Sequence, residues 1–415
     1  MKIKIYRGTK EIGGTCIEIT ADNGKILWID LGAPLNLTNP NTTYTSNKVD
    51  ALLISHSHQD HHGLMDTVGK EVPIFIGQLS LDMINASKIF RDVPVFEGNF
   101  QIIKAWKSFM VVDTFKVTTY RVDHSSPEAF AFLIEVDTKR IFYGGDFRAT
   151  GRKNILYKKL IANPPATIDL LLLEGTMVQR KNQTFPTEDA VELAIVNIIK
   201  EQKNVTFLVS SAQNIDRLVS LYRACKKTGK TLVIDVYTAW LLEKVKNVSM
   251  RMPTMDWKEI KVFNHPLQIK NLKGTEYDTF LGRVKQNATD DSVFRKPFQF
   301  VYFIRCPNEK LVEALKDKGM INVIYSQWEG YLKKEYQQWF TDYINKLRID
   351  SNINFTTIHT SGHATVPDLV NFAKAINSKI LVPIHTEYPE LIKEEFEKEG
   401  IKNVVLWEDG KVYYF

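Results

Sequence analysis

The sequence predicts an α/β protein of two units, in which a strand-rich body is interrupted by a doubly wound segment. Three observations predict it. At 415 residues the chain exceeds the length at which a single core usually stops growing. Its first third reads as short apolar strands separated by Gly, Asn and Asp turns. Between Pro186 and about Tyr325 the rhythm changes to alternating helix and strand, the pattern of parallel strands joined by crossover helices. With 44% hydrophobic and 25% charged residues, the composition excludes fibrous and disordered classes.

The elements follow in chain order. The opening stretch MKIKIYRGTKEIGG alternates polar and apolar residues, so it reads as a first strand and lacks the continuous apolar run of a signal peptide. In CIEITADNGKILWIDLG, Asp22-Asn23-Gly24 closes a hairpin. VDALLIS, DTFKVTTYRVDH, AFAFLIEV and KRIFYGGDF supply further strands. Thr187 caps a helix in TEDAVELAIVNIIKEQ; NVTFLVSS is a buried strand, NIDRLVSLYRACKKTG a helix and TLVIDV another strand. From about Asn247 to Arg295 no period is readable. The tail gives NINFTTIHTSGHA, a helix VPDLVNFAKAIN, a strand KILVPIH, a helix PELIKEEFEKEG and a last hairpin VVLWEDGKVYYF. Residues 1–185 are therefore expected to form the first part of the body, 186–345 the insert and 346–415 the completing part.

Composition also bounds location and partners. The apolar runs are too short to cross a bilayer, so no membrane partner and a cytoplasmic location are expected. Cys16, Cys225 and Cys306 are widely spaced and odd in number, which fits reduced buried thiols better than a disulfide framework. The net charge of +6 is a mild basic excess. KNILYKKL (Lys153 to Leu160) and RACKKTGK (Arg223 to Lys230) could attract phosphates, yet each equally reads as a helix with one exposed basic face.

The chemistry concentrates in ISHSHQDHHG, where four histidines and one aspartate fall within seven positions at the end of a strand. In an extended segment residues two apart share a face, so His56, His58 and Asp60 are expected to point one way and His61 to turn aside toward a neighbouring centre. Imidazoles with a carboxylate suit Zn²⁺ far better than Mg²⁺ or Ca²⁺. His124, Asp146 and His385 each follow a strand of their own. Taken singly such residues are ordinary; together with the first cluster they make seven ligands, enough for two metals with an open position. A carboxylate such as Asp146 can bridge two ions.

His56, His58, Asp60 and His61 match the HxHxDH signature, and the sequence here resembles the metallo-β-lactamase superfamily. The resemblance implies an αββα metallo-β-lactamase sandwich carrying two zinc ions per chain. It implies His56, His58 and His124 on one zinc, Asp60, His61 and His385 on the other, Asp146 between them, and Asp30 of LWIDLG as a partner orienting ligands. LLLEGTM, with Glu174, and HTSGHATVPDLVNFAKAINSKILVPIHTE, with His363 and His385, are similar to motifs of the β-CASP branch. SSAQNIDRLVSLYRACKKTGKTL is similar to a segment of ribonuclease J-like enzymes. The doubly wound insert then corresponds to a β-CASP domain. Asp60, Glu174 and His363 join the catalytic set, with His363 touching the scissile phosphate or protonating the leaving oxygen. Ser210, Ser211, Asn214 and Arg217, with Ser361 and His363, are candidates for binding phosphate or sugar oxygens; a plain strand end and helix cap explains the first four as well. Thr386 departs from the branch, which often has Gly there.

The function expected from this reading is a two-zinc hydrolase cutting phosphodiester bonds of single-stranded nucleic acid by attack of a metal-bound hydroxide. RNA is favoured over DNA, and a homodimer is left open. Two rivals remain. One is a hydrolase of the same fold acting on a small phosphodiester or ester; an insert of this size argues against it. The other is an inactive nucleic-acid-binding protein, whose expected signature is lost ligands, and all seven are here.

Overall fold

The computed structural model describes residues 1–35, 49–180, 184–200, 204–247, 252–274, 277–305, 309–333 and 338–415; Cys306 lies outside them. The chain divides into two compact units. One comprises Met1–Leu81, Phe96–Asn182 and Ser361–Phe415, the other Asp82–Val95 and Gln183–Thr360.

The first unit is built on two sheets. A seven-stranded sheet runs in the order Val412–Tyr414, Lys2–Arg7, Cys16–Thr20, Ile26–Ile29, Ala51–Leu53, Pro73–Gly77 and Asn99–Ile103. A six-stranded sheet runs Ile380–Ile384, Leu170–Glu174, Lys139–Tyr143, Ala129–Val136, Phe115–Val122 and Ser108–Val111. Strand alternation explains the layering. In the first strand Ile3 and Ile5 are buried while Lys2 is exposed. In Ala129–Val136 one set, Phe130, Phe132 and Ile134, packs with Ile3, Ile5, Ile17 and Leu53 between the sheets. The other set, Ala129, Ala131 and Leu133, packs with Tyr157, Leu160, Leu369 and Phe372 of the helices Ile155–Ala162 and Val366–Ile376. Leu170 and Leu172 divide from Leu171 and Leu173 in the same way. Each fully buried side chain of this kind contributes roughly 1.5–3 kcal/mol relative to exposure. Strands buried on both faces therefore read as unbroken apolar runs such as LLLL.

Strand direction gathers the reactive residues. Lys139–Tyr143, Leu170–Glu174 and Ile380–Ile384 are parallel, with Glu174 registered on Ile384. Phe115–Val122 reaches the same direction through two antiparallel pairings. The loops holding His124, Asp146 and His385 thus leave one edge of the sheet, where Glu174 ends its own strand.

Two details differ from expectation. Residues 404–415 do not form a hairpin. Val404 bridges to Leu381 of the second sheet, while Val412–Tyr414 pairs antiparallel with Lys2–Arg7 of the first. Trp407 stacks flat on Tyr413, rings 4.2 Å apart, which fixes the crossing between sheets. The insert also has other limits than 186–345. The helix Gln338–Ile349 buries Phe340, Ile344 and Leu347 in the second unit's core, and Ile353–Thr357 pairs parallel with Ile321–Tyr325. Asp82–Val95 joins that unit because Phe90 meets Tyr237 at 5.1 Å and Trp240 at 6.3 Å.

The second unit holds six parallel strands in the order Ile260–Phe263, Thr231–Asp235, Phe300–Ile304, Val205–Val209, Ile321–Tyr325 and Ile353–Thr357. Its helices start on side-chain caps: Thr187 accepts from Ala190 N, Asn214 from Arg217 N and Asp235 from Thr238 N. The segment that reads poorly in the sequence contains Ile260–Phe263 and short helices of four to nine residues.

Candidate metal centre

The first sheet contributes Asp30 and the histidine cluster. Asp30 is fully buried with a φ of 57°, a left-handed backbone that costs a non-glycine residue on the order of 1 kcal/mol or more. Its carboxylate accepts from Ser55 N at 2.7 Å, Ser55 Oγ at 2.8 Å and Tyr143 OH at 2.6 Å, and takes the Nδ1–H of His61 at 2.7 Å. His61 therefore presents Nε2 to the site.

The motif is not extended throughout. Gln59–His62 forms a single helical turn with His58 at its N-cap. His56 and His58 lie before the turn and go to one cluster. Asp60 and His61 lie inside it, about 100° apart around the axis, and both reach the other cluster.

The two clusters adjoin. His56, His58 and His124 place one ligand atom each within 4.8 Å of one another, and Asp60, His61 and His385 do the same. His58 Nδ1 is 3.1 Å from His124 Nε2, and His385 Nε2 is 3.2 Å from Asp60 Oδ2. Asp146 Oδ2 stands between, 3.9 Å from His56 Nε2 and His124 Nε2 and 3.1 Å from His61 Nε2. The outer ring nitrogens are anchored: His124 Nδ1–H donates to Gly362 O at 2.6 Å, and His385 Nδ1 meets Thr176 Oγ1 at 2.9 Å. His385 itself has a φ of 50°, held by its N–H donating to Gly8 O. Thr386 is buried without a positive φ, so a side chain at that position costs no backbone strain.

The donor set fits a divalent transition metal. His56 Nε2 is buried and has no hydrogen-bond partner among the described residues, an arrangement that is costly unless an ion takes its lone pair. Burial holds His56 and His124 well below the usual imidazole range and His58 at about 4, leaving the neutral form that binds metal. His61 shows the opposite: burial opposes its charge, but Asp146, Asp30 and Asp60 outweigh burial and push it well up. Three carboxylates converging on one buried imidazole are the field a cation would neutralise. For Asp146 too burial disfavours the charge, and His385 and His61 more than offset it, so the carboxyl is held well below its usual range.

His363 and Glu174 lie beside this centre. Glu174 is buried; its Oε1 accepts from Phe147 N at 3.1 Å and its Oε2 lies 2.9 Å from His363 Nδ1. Burial lowers the affinity of His363 for a proton, but the Glu174 and Asp146 carboxylates raise it above the ordinary imidazole value. Ser361 is buried, and its Oγ accepts from His363 N at 3.1 Å.

In the second unit Ser211 is exposed, while Ser210 is buried and donates to Ser326 O at 3.2 Å. Asn214 serves as a helix cap. Arg217 corrects the expectation that it offers charge to a phosphate. It is fully buried, its Nη2 3.1 Å from Glu188 Oε1, its Nη1 donating to Ser326 O at 2.7 Å and to Ser326 Oγ. Arg217→Ala is expected to cost roughly 3–5 kcal/mol of stability, because buried Glu188 loses the guanidinium that faces it and Ser326 loses its donor. Thermal unfolding checks it, and an unchanged Tm would return Arg217 to the substrate set. The two basic clusters are also engaged: Lys153 Nζ donates to His124 O and Ser126 O, and Lys227 and Arg223 pair with Glu192. The orienting roles of Ser55, Tyr143 and Thr176 escape the sequence, since nothing in their spacing separates them from ordinary polar residues.

A two-sheet sandwich with paired His/Asp clusters at its strand ends defines a metal-dependent hydrolase. Residues 28–202 match the family described as beta-lactamase superfamily domain, and residues 348–406 match the Zn-dependent metallo-hydrolase RNA specificity domain. The chain is 24% identical over 453 residues to ribonuclease J of Mycoplasma pneumoniae, covering 100% of this chain and 74% of that protein. It is 23% identical over 400 residues to an RNase J-like protein of Methanocaldococcus jannaschii, covering 90% and 89%. A crystal structure of a protein of unknown function from Enterococcus faecalis V583 shares the fold with a TM-score of 0.71 at 19% identity, covering 99% of each chain. Together these matches support a metallo-β-lactamase protein of the β-CASP, ribonuclease J-like kind. Among the described residues, no helix is long and apolar enough to cross a membrane.

Proposed function

We propose that the protein is a two-zinc ribonuclease that cleaves phosphodiester bonds of single-stranded RNA in the cytoplasm. The observation that carries this reading is the position of Asp146, one carboxylate oxygen within 3.9 Å of ligand nitrogens from both clusters, with the His363–Glu174 pair beside it. The RNA specificity match spans both His363 and His385, and relatives carry the name ribonuclease J.

In this reading His56, His58 and His124 hold one ion, Asp60, His61 and His385 the other, and Asp146 reaches both. Zn²⁺ there would polarise the phosphoryl oxygens and bring the pKa of a nearby water toward neutrality. Asp30 orients His61 and keeps its Nε2 toward the centre. Glu174 holds Nδ1 of His363, which leaves Nε2 to contact the phosphate or carry a proton to the leaving oxygen. Ser211 of the second unit is an exposed candidate for RNA contact.

The test is incubation of the purified protein with end-labelled single-stranded RNA and DNA, with and without chelator, alongside elemental analysis. Metal near two per chain and chelator-sensitive RNA cleavage are expected. RNA affinity should fall with salt, with a log–log slope of about 0.7 per phosphate contact. Salt-insensitive binding, or faster turnover of small esters than of RNA, would overturn the reading in favour of a small-molecule hydrolase.

A further inference from the structure

Behind the ligand clusters lies a buried ion pair that the chemistry above does not use. Arg148, two residues after Asp146, is fully buried, as is Asp123, the residue before His124. Arg148 Nε lies 3.4 Å from Asp123 Oδ1, and Arg148 Nη1 donates to Ser361 O at 3.0 Å. The backbone closes the same loop, Arg148 N donating to Asp123 O at 2.6 Å, and Lys153 N donates to Asp123 Oδ2 at 3.1 Å. Ser361 stands beside Gly362, whose carbonyl accepts Nδ1–H of His124, and Ser361 Oγ accepts from His363 N. One guanidinium thus joins the strand end bearing Asp146, the strand end bearing His124 and the turn bearing His363.

The neighbouring glycines make room for this junction. A Cβ on Gly151 would stand 2.5 Å from Asp123 Oδ1 and 2.6 Å from Oδ2. A Cβ on Gly362 would stand 2.6 Å from Ser125 Oγ and 3.3 Å from His124 Cε1, so a side chain there would have to displace Ser125 and crowd the imidazole.

We infer that Arg148 is a positioning residue: its guanidinium sets the turn Ser361–His363 against Asp123–His124, fixing which nitrogen His124 offers a metal and where His363 stands relative to Asp146. The planar fork is required, because it meets a carboxylate and a carbonyl on different segments at once; a lysine ammonium on a flexible stem carries the charge without that geometry. Partners of metal ligands typically change metal affinity or activity by about 10–100-fold when altered.

The inference rests on the ribonuclease reading for its turnover measurement and not for its zinc measurement. Arg148→Lys keeps the charge beside Asp123. Zinc affinity, by chelator competition, is expected to weaken about 10–100-fold and kcat on RNA to fall by a similar factor, with KM changed less than about twofold. With zinc held saturating, so that the effect through His124 on metal occupancy drops out, the further loss of kcat from Arg148→Lys in a His363→Ala background should shrink to less than about threefold, since what remains acts through the position of His363. Arg148→Met with Asp123→Asn removes both charges together, so a folding failure from an unpaired carboxylate cannot mimic the result; this pair is expected to fold and to weaken zinc to the same degree. Wild-type zinc affinity in whichever of these variants folds overturns the inference, and so do losses that multiply fully with His363→Ala. A wild-type protein that binds zinc but cleaves no RNA overturns the ribonuclease reading alone, and the zinc comparison then decides the role of Arg148.

Discussion

Asp146→Ala is expected to lower metal content at both positions and turnover by at least about 10³-fold, more than replacement of any single histidine of the two clusters. A histidine lost from either cluster removes one of three donors from one site. Asp146 differs because a single oxygen, Oδ2, lies within reach of His56 and His124 on one side and His61 on the other. A carboxylate between two cations also screens their mutual repulsion, so its removal raises the cost of holding the second ion once the first is bound. Outer partners of ligands change activity by about 10–100-fold, which sets a floor that a shared ligand should exceed. Elemental analysis and RNA turnover on the same preparation check it. An Asp146→Ala protein that keeps both metals and its turnover removes Asp146 from the shared position.

The candidate ligands that the structure gathers are legible because metal chemistry restricts residue type and places donors at strand ends, and both restrictions are visible in one dimension. His56, His58 and His61 crowd one motif, and His124, Asp146 and His385 each follow a segment of strand length. Their division between two clusters was less legible. Reading the motif as extended overlooks the turn at Gln59–His62, which is four residues long and too short to leave a helical period. The same limit applies from 247 to 295, where helices of four to nine residues leave no stripe to detect.

Apart from Asp30, which the resemblance marks as a partner orienting ligands, the partners made through tertiary contact leave no trace in the sequence. Asp30 meets Tyr143 across 113 positions, and Arg148 reaches Ser361 across 213. Arg217 illustrates the opposite error. An arginine in a helix's first turn after a Ser-Ser strand end looks available to a phosphate, but the fold turns it inward onto Glu188 and Ser326, and the sequence does not say which way it faces. The strand Ile353–Thr357 belongs to the second unit and not to the body that the sequence pattern suggests, since a parallel strand can join any sheet whose edge it reaches.

His363→Ala and His385→Ala should separate cleanly, although both histidines come from neighbouring motifs. His385 offers Nε2 beside Asp60 while Thr176 holds its Nδ1, and its φ of 50° shows the backbone bent to keep it there. Its loss should lower metal content and turnover together. His363 has Nδ1 occupied by Glu174, retains 18% side-chain exposure and precedes the helix Val366–Ile376, whose Thr365–Asp368 capping box fixes the turn. The amino end of that helix adds positive potential suited to a phosphate. His363→Ala is therefore expected to keep its metals and lose about 10²–10⁴-fold in turnover, the range of a proton-transfer contribution. Glu174→Gln added to it, which keeps an acceptor for Phe147 N, should cost less than about threefold more, because its remaining effect acts through the imidazole already removed. The competing possibility is geometric: Asp146, Glu174, His363 and His385 also place ligand atoms within 4.8 Å of one another. An ion there would need His363 Nδ1, the nitrogen Glu174 already holds. A His363→Ala protein that loses metal would make that grouping a metal position, and one that retains full turnover would leave His363 without a role in the reaction.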